Sequence, residues 1–312
     1  MKKILITGGT GFVASHLVEE LHQRGERNIH LTSYKDDGEF VKQFVDTNNI
    51  HQLNLTDYQA TQHLIAEIKP EEIYHLASIA NVGDSFEKRQ AILEMNTSLQ
   101  LNLLEAMKNH VPNSRMLHVS TALIYEARNQ AVDETASLGP DSPYALSKLV
   151  QDMMVHYFTR SEKLDIVRVR PFNHIGERQT LGFVVADLAA NIVRVEKGLA
   201  PTVSVGNLDS VRDFSDVKDI VNAYILLMEK GQSGEVYNLG SGKAYSIREI
   251  LEILKSKSKV DIKITVDANK IRPVDLPYLV CNNEKVLKLG WQPKHHLAET
   301  LERILNYWRE NL

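Results

Sequence analysis

Ile4-Leu5-Ile6-Thr7-Gly8-Gly9-Thr10-Gly11-Phe12-Val13-Ala14-Ser15-His16-Leu17 opens the chain with an apolar run, a glycine turn and then apolar residues at helical spacing. The run 3–7 has the length of a buried strand, and Phe12, Val13, His16, Leu17, Glu20 and Leu21 recur with the period of a helix. Strand, tight turn, helix is the reading. The alternation continues outward: strands near 29–32 and 52–55, a helix over 58–68, a strand over 73–77, a long helix over 95–108 and a strand over 115–120. A helix over 144–160, with Asp141 and Ser142 available as caps and Pro143 suited to a first helical position, precedes a strand over 165–170. Strands alternating with helices imply right-handed crossovers and a parallel sheet covered on both faces. A doubly wound α/β fold of the Rossmann type is predicted.

Beyond Pro171 the pattern loosens. Helices are expected over 183–196, 216–230, 247–255 and 297–310, with strands over 235–239 and 263–266. Residues 1–170 are assigned to a dinucleotide-binding domain to which 215–239 return, and residues 171–214 and 240–312 to a smaller α/β substrate-binding domain. On the 144–160 helix, Leu149, Val150, Met153, Met154, Val155, Tyr157 and Phe158 cover more than one stripe, which leaves either a face for a partner subunit or burial within the monomer.

The 312 residues, 43% apolar and 24% charged, are enough for a substantial core and unlike a disordered chain. A net charge of -4 argues against a nucleic-acid surface. Cys281 is the single cysteine, so no internal disulfide is expected, and Met1-Lys2-Lys3 runs into the first strand without a cleavage pattern. No apolar run approaches the roughly 18 to 20 residues of a spanning helix. A cytoplasmic location is expected. Gly240-Ser241-Gly242-Lys243 lacks the first glycine and the terminal hydroxyl of a phosphate-binding P-loop, and His295-His296 has no companion ligands. No metal is expected.

At the first strand-to-helix junction, a glycine turn aims backbone N–H groups at a pyrophosphate. Gly8 permits the turn, Gly11 admits the cofactor, and Ala14 is small enough for close packing; Thr10, Phe12 and Val13 complete the cradle. An acid at the end of the second strand would bind a ribose 2′-hydroxyl and repel a 2′-phosphate. Here Leu31-Thr32-Ser33-Tyr34-Lys35 offers hydroxyls and a cation, so Ser33 and Lys35 are assigned to the cofactor and NADP(H) is favoured over NAD(H). NAD(H) stays open because Asp36 and Asp37 follow directly. Asn54 and Leu55 are candidates for the adenine.

Tyr144-Ala145-Leu146-Ser147-Lys148 puts a phenol and an amine on one helical face, where a cation would lower the phenol's pKa toward a working general acid/base. Val119-Ser120-Thr121-Ala122 ends a predicted strand, at the sheet edge where such folds bind ligands. Together with the glycine loop, and in this order, these residues resemble the extended short-chain dehydrogenase/reductases over nearly the whole chain. The resemblance implies that Thr121 hydrogen-bonds the substrate oxygen, that Tyr144 exchanges a proton, and that Lys148 orients the nicotinamide ribose and tunes Tyr144. It further implies that Asn96 supports the site and that Ala77 and Ser78 lie along the cofactor.

Dehydratases of that family carry an acidic residue after the catalytic threonine; here Ala122 and Leu123 stand there, and neither moves a proton. That leaves reduction of a keto sugar or epimerisation through a transient ketone. Arg170-Pro171-Phe172-Asn173-His174-Ile175-Gly176, Leu181-Gly182-Phe183-Val184, Val205-Gly206-Asn207-Leu208, Arg212-Asp213-Phe214 and Arg272-Pro273 resemble the reductases acting on GDP-4-keto-6-deoxymannose, which form GDP-rhamnose. Glu177 and Arg178 depart from a Gly-Pro-Gly-like continuation. Asn173, Val184, Arg212 and Arg272 are the substrate-binding candidates, the arginines because a planar fork matches phosphate oxygens. The expectation is an NADPH-dependent reductase of a GDP-linked keto sugar, acting as a homodimer. The alternatives are a 4-epimerase with tightly bound NAD, a GDP-mannose 4,6-dehydratase relative and a non-catalytic dinucleotide sensor.

Overall fold

The computed structural model describes residues 2–35, 38–80, 85–267, 270 and 277–312. Its strands are β1 (Ile4–Thr7), β2 (Ile29–Ser33), β3 (Ile50–Gln52), β4 (Glu72–His75), β5 (Arg115–Val119), β6 (Asp165–Pro171), β7 (Asn173–Ile175), β8 (Val203–Val205), β9 (Val211–Arg212), β10 (Phe214–Asp216), β11 (Val236–Leu239), β12 (Tyr245–Ser246), β13 (Ile264–Val266) and β14 (Tyr278–Leu279). The helices are α1 (Phe12–Gln23), α2 (Tyr58–Ile68), α3 (Arg89–His110), α4 (Pro143–Ser161), α5 (Val184–Glu196), α6 (Val217–Lys230), α7 (Ile247–Ser256), α8 (Glu284–Leu287) and α9 (Leu297–Asn311).

Seven strands pair in parallel in the order β11-β6-β5-β4-β1-β2-β3. The order reverses between β1 and β4, and the crevice beyond their carboxyl ends is the ligand-binding place of such sheets. Successive residues of β1 serve opposite layers, as a two-residue period requires. Ile4 and Ile6 pack with residues of α1 and α6, while Leu5 packs with residues of α2, α3 and α4. A separate core joins α5, α7 and α9 to β8. The short parallel pair β7–β10 carries the loop after β6 to the start of α6.

Two elements differ from expectation. The third strand ends at Gln52, because Asn54 Oδ1 accepts from the Thr56 N–H at 3.1 Å and its carbonyl accepts from Asp57, turning the chain toward α2. Helix α3 begins at Arg89, six residues before the predicted start at Met95: its first turns are largely polar and exposed, with Ile92 the buried anchor.

The face of the sheet toward α3 and α4 carries a polar row. Thr7, His75, His118 and Arg168 are neighbours at one register across β1, β4, β5 and β6. Thr7 Oγ1 and His75 Nδ1 are 2.7 Å apart, and the two imidazoles stack at 6.0 Å. Burial holds both histidines neutral, His75 with a pKa lowered to about 3. At the β6 end, Asp152 of α4 pairs with Arg168 at 3.1 Å and Arg170 at 2.7 Å, and its carboxylate is wholly buried. Removing one partner of such a cluster strands the others' charge. Asp152→Ala is therefore expected to cost about 3–5 kcal/mol in urea unfolding, and a loss below about 1 kcal/mol would show that the arginines find other acceptors.

Candidate active site

Gly8 takes φ +66°, a left-handed conformation open to glycine, and a Cβ there would meet the Ala77 backbone at 3.0 Å. The turn thus brings β1 against the segment after β4, where the Ala77 N–H donates to Thr7 Oγ1 at 3.2 Å. Gly11 is the N-cap of α1 and offers no side-chain hydrogen bond. The first-turn N–H groups of α1 are therefore left for a ligand, with the positive end of the helix dipole behind them. This uncapped terminus fits the phosphates of a dinucleotide.

It opens into a cavity of about 1200 Å³ that runs along the carboxyl ends of the sheet to α5 and β8. That exceeds the upper end, roughly 1,000 Å³, of a single small-molecule pocket. Gly8, Thr10, Gly11, Phe12 and Val13 line it, as do Lys35, Asn54, Leu55, Ala77 and Ser78. Thr121, Tyr144, Lys148, Asn173, Val184 and Arg212 line it too. Ser33 lies behind the wall, only 2% exposed, with Oγ 3.3 Å from Thr10 Oγ1. Arg272 falls outside the described residues, as do Asp36 and Asp37.

Asn96 is also behind the wall. Its Oδ1 accepts from the Ile79 N–H at 2.9 Å, and Nδ2 donates to the Ile79 carbonyl at 3.3 Å and to Ser147 Oγ at 2.9 Å. One side chain thus fastens the segment after β4 to the helix that carries Tyr144 and Lys148. Cavity residues that sequence reading did not assign to a ligand include Tyr224, whose buried hydroxyl has no partner among the described residues, and Phe40 and Arg178. Tyr224 sits on an apolar helix, where its position reads as ordinary core.

Helix α4 starts at Ser142, whose Oγ accepts from the Ala145 N–H at 3.1 Å, with Pro143 in the first turn. Lys148 Nζ donates to the Val119 carbonyl at 2.6 Å, fixing α4 to the end of β5. Thr121 Oγ1 accepts from the Leu123 N–H at 3.3 Å at the head of a short 3₁₀ turn. His174, stacked on Phe12 at 6.1 Å, is held toward its neutral form by burial.

The electrostatics correct one expectation. Tyr144 is pushed up to about 12 by burial, with the Thr121 hydroxyl pulling the other way. Burial likewise lowers Lys148 to about 7, against the opposing field of Asp152. Desolvation outweighs the predicted cation effect, because the cation itself is buried. The phenol is left as a proton donor, the form a ketone reduction needs. For stability the sign is clear: between pH 7 and the ordinary 10.5 of lysine, the unfolded chain holds a proton that the folded chain lacks, so stability from this group rises with pH. Lys148→Met is accordingly expected to melt above the wild type at pH 7, the gap closing as pH climbs through that window; a gap independent of pH would refute the depressed lysine.

Comparison with known proteins identifies the family. The profile of the GDP-mannose 4,6 dehydratase family matches residues 5–304. The GDP-6-deoxy-D-mannose reductase of Pseudomonas aeruginosa is 31% identical over 267 residues, covering 84% of this chain and 88% of that one. The structure of RMD from Pseudomonas aeruginosa complexed with NADPH superposes with a TM-score of 0.87 at 29% identity, over 100% of both chains. The UDP-glucose 4-epimerase of Thermus thermophilus in complex with NAD gives 0.89 at 27% identity, over 99% of this chain and 100% of that one. With an uncapped glycine turn, Thr121, Tyr144 and Lys148 on one cavity and a family match over almost its full length, the chain belongs to the GDP-mannose 4,6 dehydratase family of the extended short-chain dehydrogenase/reductases.

Proposed function

We propose that this chain reduces the 4-keto group of a GDP-4-keto-6-deoxyhexose with NADPH, giving a GDP-6-deoxyhexose of the GDP-rhamnose type. The observation that carries the reading is the wall where Thr121, Tyr144 and Lys148 meet while Ala122 and Leu123 follow the threonine. A proton donor is present; the extra acid of a dehydratase is not. The similarity to a GDP-6-deoxy-D-mannose reductase and to an NADPH complex supports the substrate class and the cofactor.

NADPH, when bound, supplies the hydride at sugar C4. The uncapped start of α1 receives its diphosphate, and Lys35, beside Tyr34 at the cavity rim, offers a cation to a 2′-phosphate. Tyr144 gives its proton to O4, and Thr121 holds that oxygen in place. Lys148, anchored on Val119, orients the ribose beside the phenol. Asn173, Val184, Arg212 and Arg272 contact the sugar nucleotide, the arginines at its diphosphate, so that remote binding energy keeps the ketone in register. In this reading residues 1–170 and 215–239 hold the dinucleotide, and residues 171–214 and 240–312 hold the sugar nucleotide.

A 4-epimerase would use the same proton group, and the similarity to an NAD-bound epimerase keeps it as the second reading. The chain works in the cytoplasm as a homodimer. Supporting the dimer, Leu101 on α3 and Leu146, Met153 and Tyr157 on α4 are exposed apolar side chains on two helices packed together.

Incubation with NADPH and GDP-4-keto-6-deoxymannose is expected to oxidise one cofactor per deoxyhexose formed. UDP-glucose converted without net cofactor change would favour the epimerase. Tyr144→Phe is expected to lower turnover by about 100-fold or more while NADPH affinity stays near wild type; undiminished turnover would remove Tyr144 from its role. Sedimentation velocity should give a dimer that Tyr157→Asp drives toward monomer, and a wild-type monomer would contradict the interface.

A further inference from the structure

Arg178 follows Glu177 in the loop after β7, and its φ of +70° lies in the left-handed region that a side chain occupies at a cost. Its guanidinium is held on three sides. Nε donates to Ser15 Oγ at 3.0 Å, Nη2 pairs with Glu19 at 2.9 Å, and the plane lies 3.8 Å from the centroid of the Phe40 ring. Ser15 and Glu19 stand on α1, just past the cofactor loop, and Phe40 belongs to the segment after β2. One side chain from the loop after β7 therefore joins the two segments that flank the dinucleotide end of the cavity.

Ser15, Phe40 and Arg178 all line that cavity, together with Thr10, Tyr34 and Lys35. The segment after β2 lies close on the cofactor loop: a Cβ at Gly38 would meet Thr10 Cγ2 at 2.7 Å. Nη1 of Arg178 has no hydrogen-bond partner among the described residues, so a rigidly stacked cation keeps a free N–H pair at the rim of a phosphate-binding helix terminus. Glu19 neutralises one edge of the fork and leaves the other for a ligand.

We propose that Arg178 is a cofactor-binding residue: it clasps the dinucleotide by offering its remaining N–H groups to a cofactor phosphate while it holds Phe40 as the adjoining wall. The inference rests on reading the cavity as a dinucleotide site and adds to it a residue that the glycine loop and the end of β2 do not predict. The strained backbone is kept because the side chain must start from this point to reach α1 and Phe40 together.

Fluorescence titration of the full chain with NADPH and with NADH tests it. Arg178→Gly is expected to raise the NADPH Kd about tenfold, the loss expected for one charge-assisted hydrogen bond. Its melting temperature should change little, because the strain that glycine relieves at this φ offsets the lost contacts to Ser15, Glu19 and Phe40. Phe40→Leu, which leaves the charge and removes the stacked wall, should raise the Kd by a smaller factor, about threefold. Loss confined to NADPH identifies the 2′-phosphate as the ligand, and equal loss for both nucleotides identifies the diphosphate. Should Arg178→Gly fail to fold, Arg178→Gln, with its stem intact and its charge gone, gives the same reading. Wild-type binding with variant affinities unchanged within about twofold overturns the clasp alone; a wild type that binds neither nucleotide overturns the dinucleotide site and the clasp together.

Discussion

The Lys148 Nζ contact with the Val119 carbonyl, at 2.6 Å, connects the two elements on which the proposed chemistry depends. Val119 ends β5 in the middle of a seven-stranded sheet, and Lys148 lies on α4 one turn after Tyr144. With that tie in place the phenol stands at the wall of the cavity and the Thr121 hydroxyl, two residues beyond Val119, stands beside it. Asn96 secures the same helix from behind through Ser147, and the Asp152 cluster anchors its next turn to β6. The helix is thus fixed to three neighbours by polar contacts, and those of Asn96 and Asp152 are buried and costly to break.

Burial has a chemical consequence as well. Burial pushes both groups toward their neutral forms, the lysine down to about 7 and the phenol up to about 12, so the phenol keeps its proton at neutral pH. The neutral histidine pair in the polar row lies under the same helix. Together these features keep Tyr144 loaded with the proton that a ketone reduction consumes.

Much of the fold was legible in the chain. Glycines at the first junction, alternation of apolar runs and helical periods, and the Ser142-Pro143 start of α4 are local signals, and the elements they predict occur within a few residues. The third strand and the start of α3 differ where apolar periodicity is a poor guide: Asn54 ends the strand by a side-chain turn two residues long, and the early turns of α3 expose polar residues that hide their period. At the site, residues on the cofactor loop and around Tyr144 were readable because their spacing encodes their geometry. Arg178 and Phe40 meet across 138 positions of sequence, and Tyr224 reaches the cavity from the opposite layer, so no spacing announces them. The lysine's lowered pKa was equally invisible, since it depends on how deeply the folded chain buries it.

The proposed chemistry passes a hydride to C4 of a keto sugar on this wall. It is tested most directly by supplying NADPH deuterated at both C4 positions with GDP-4-keto-6-deoxymannose and following the sugar by NMR. One deuteron at C4 of the product deoxyhexose is expected; product formed without deuterium at C4 would show that the hydride goes elsewhere.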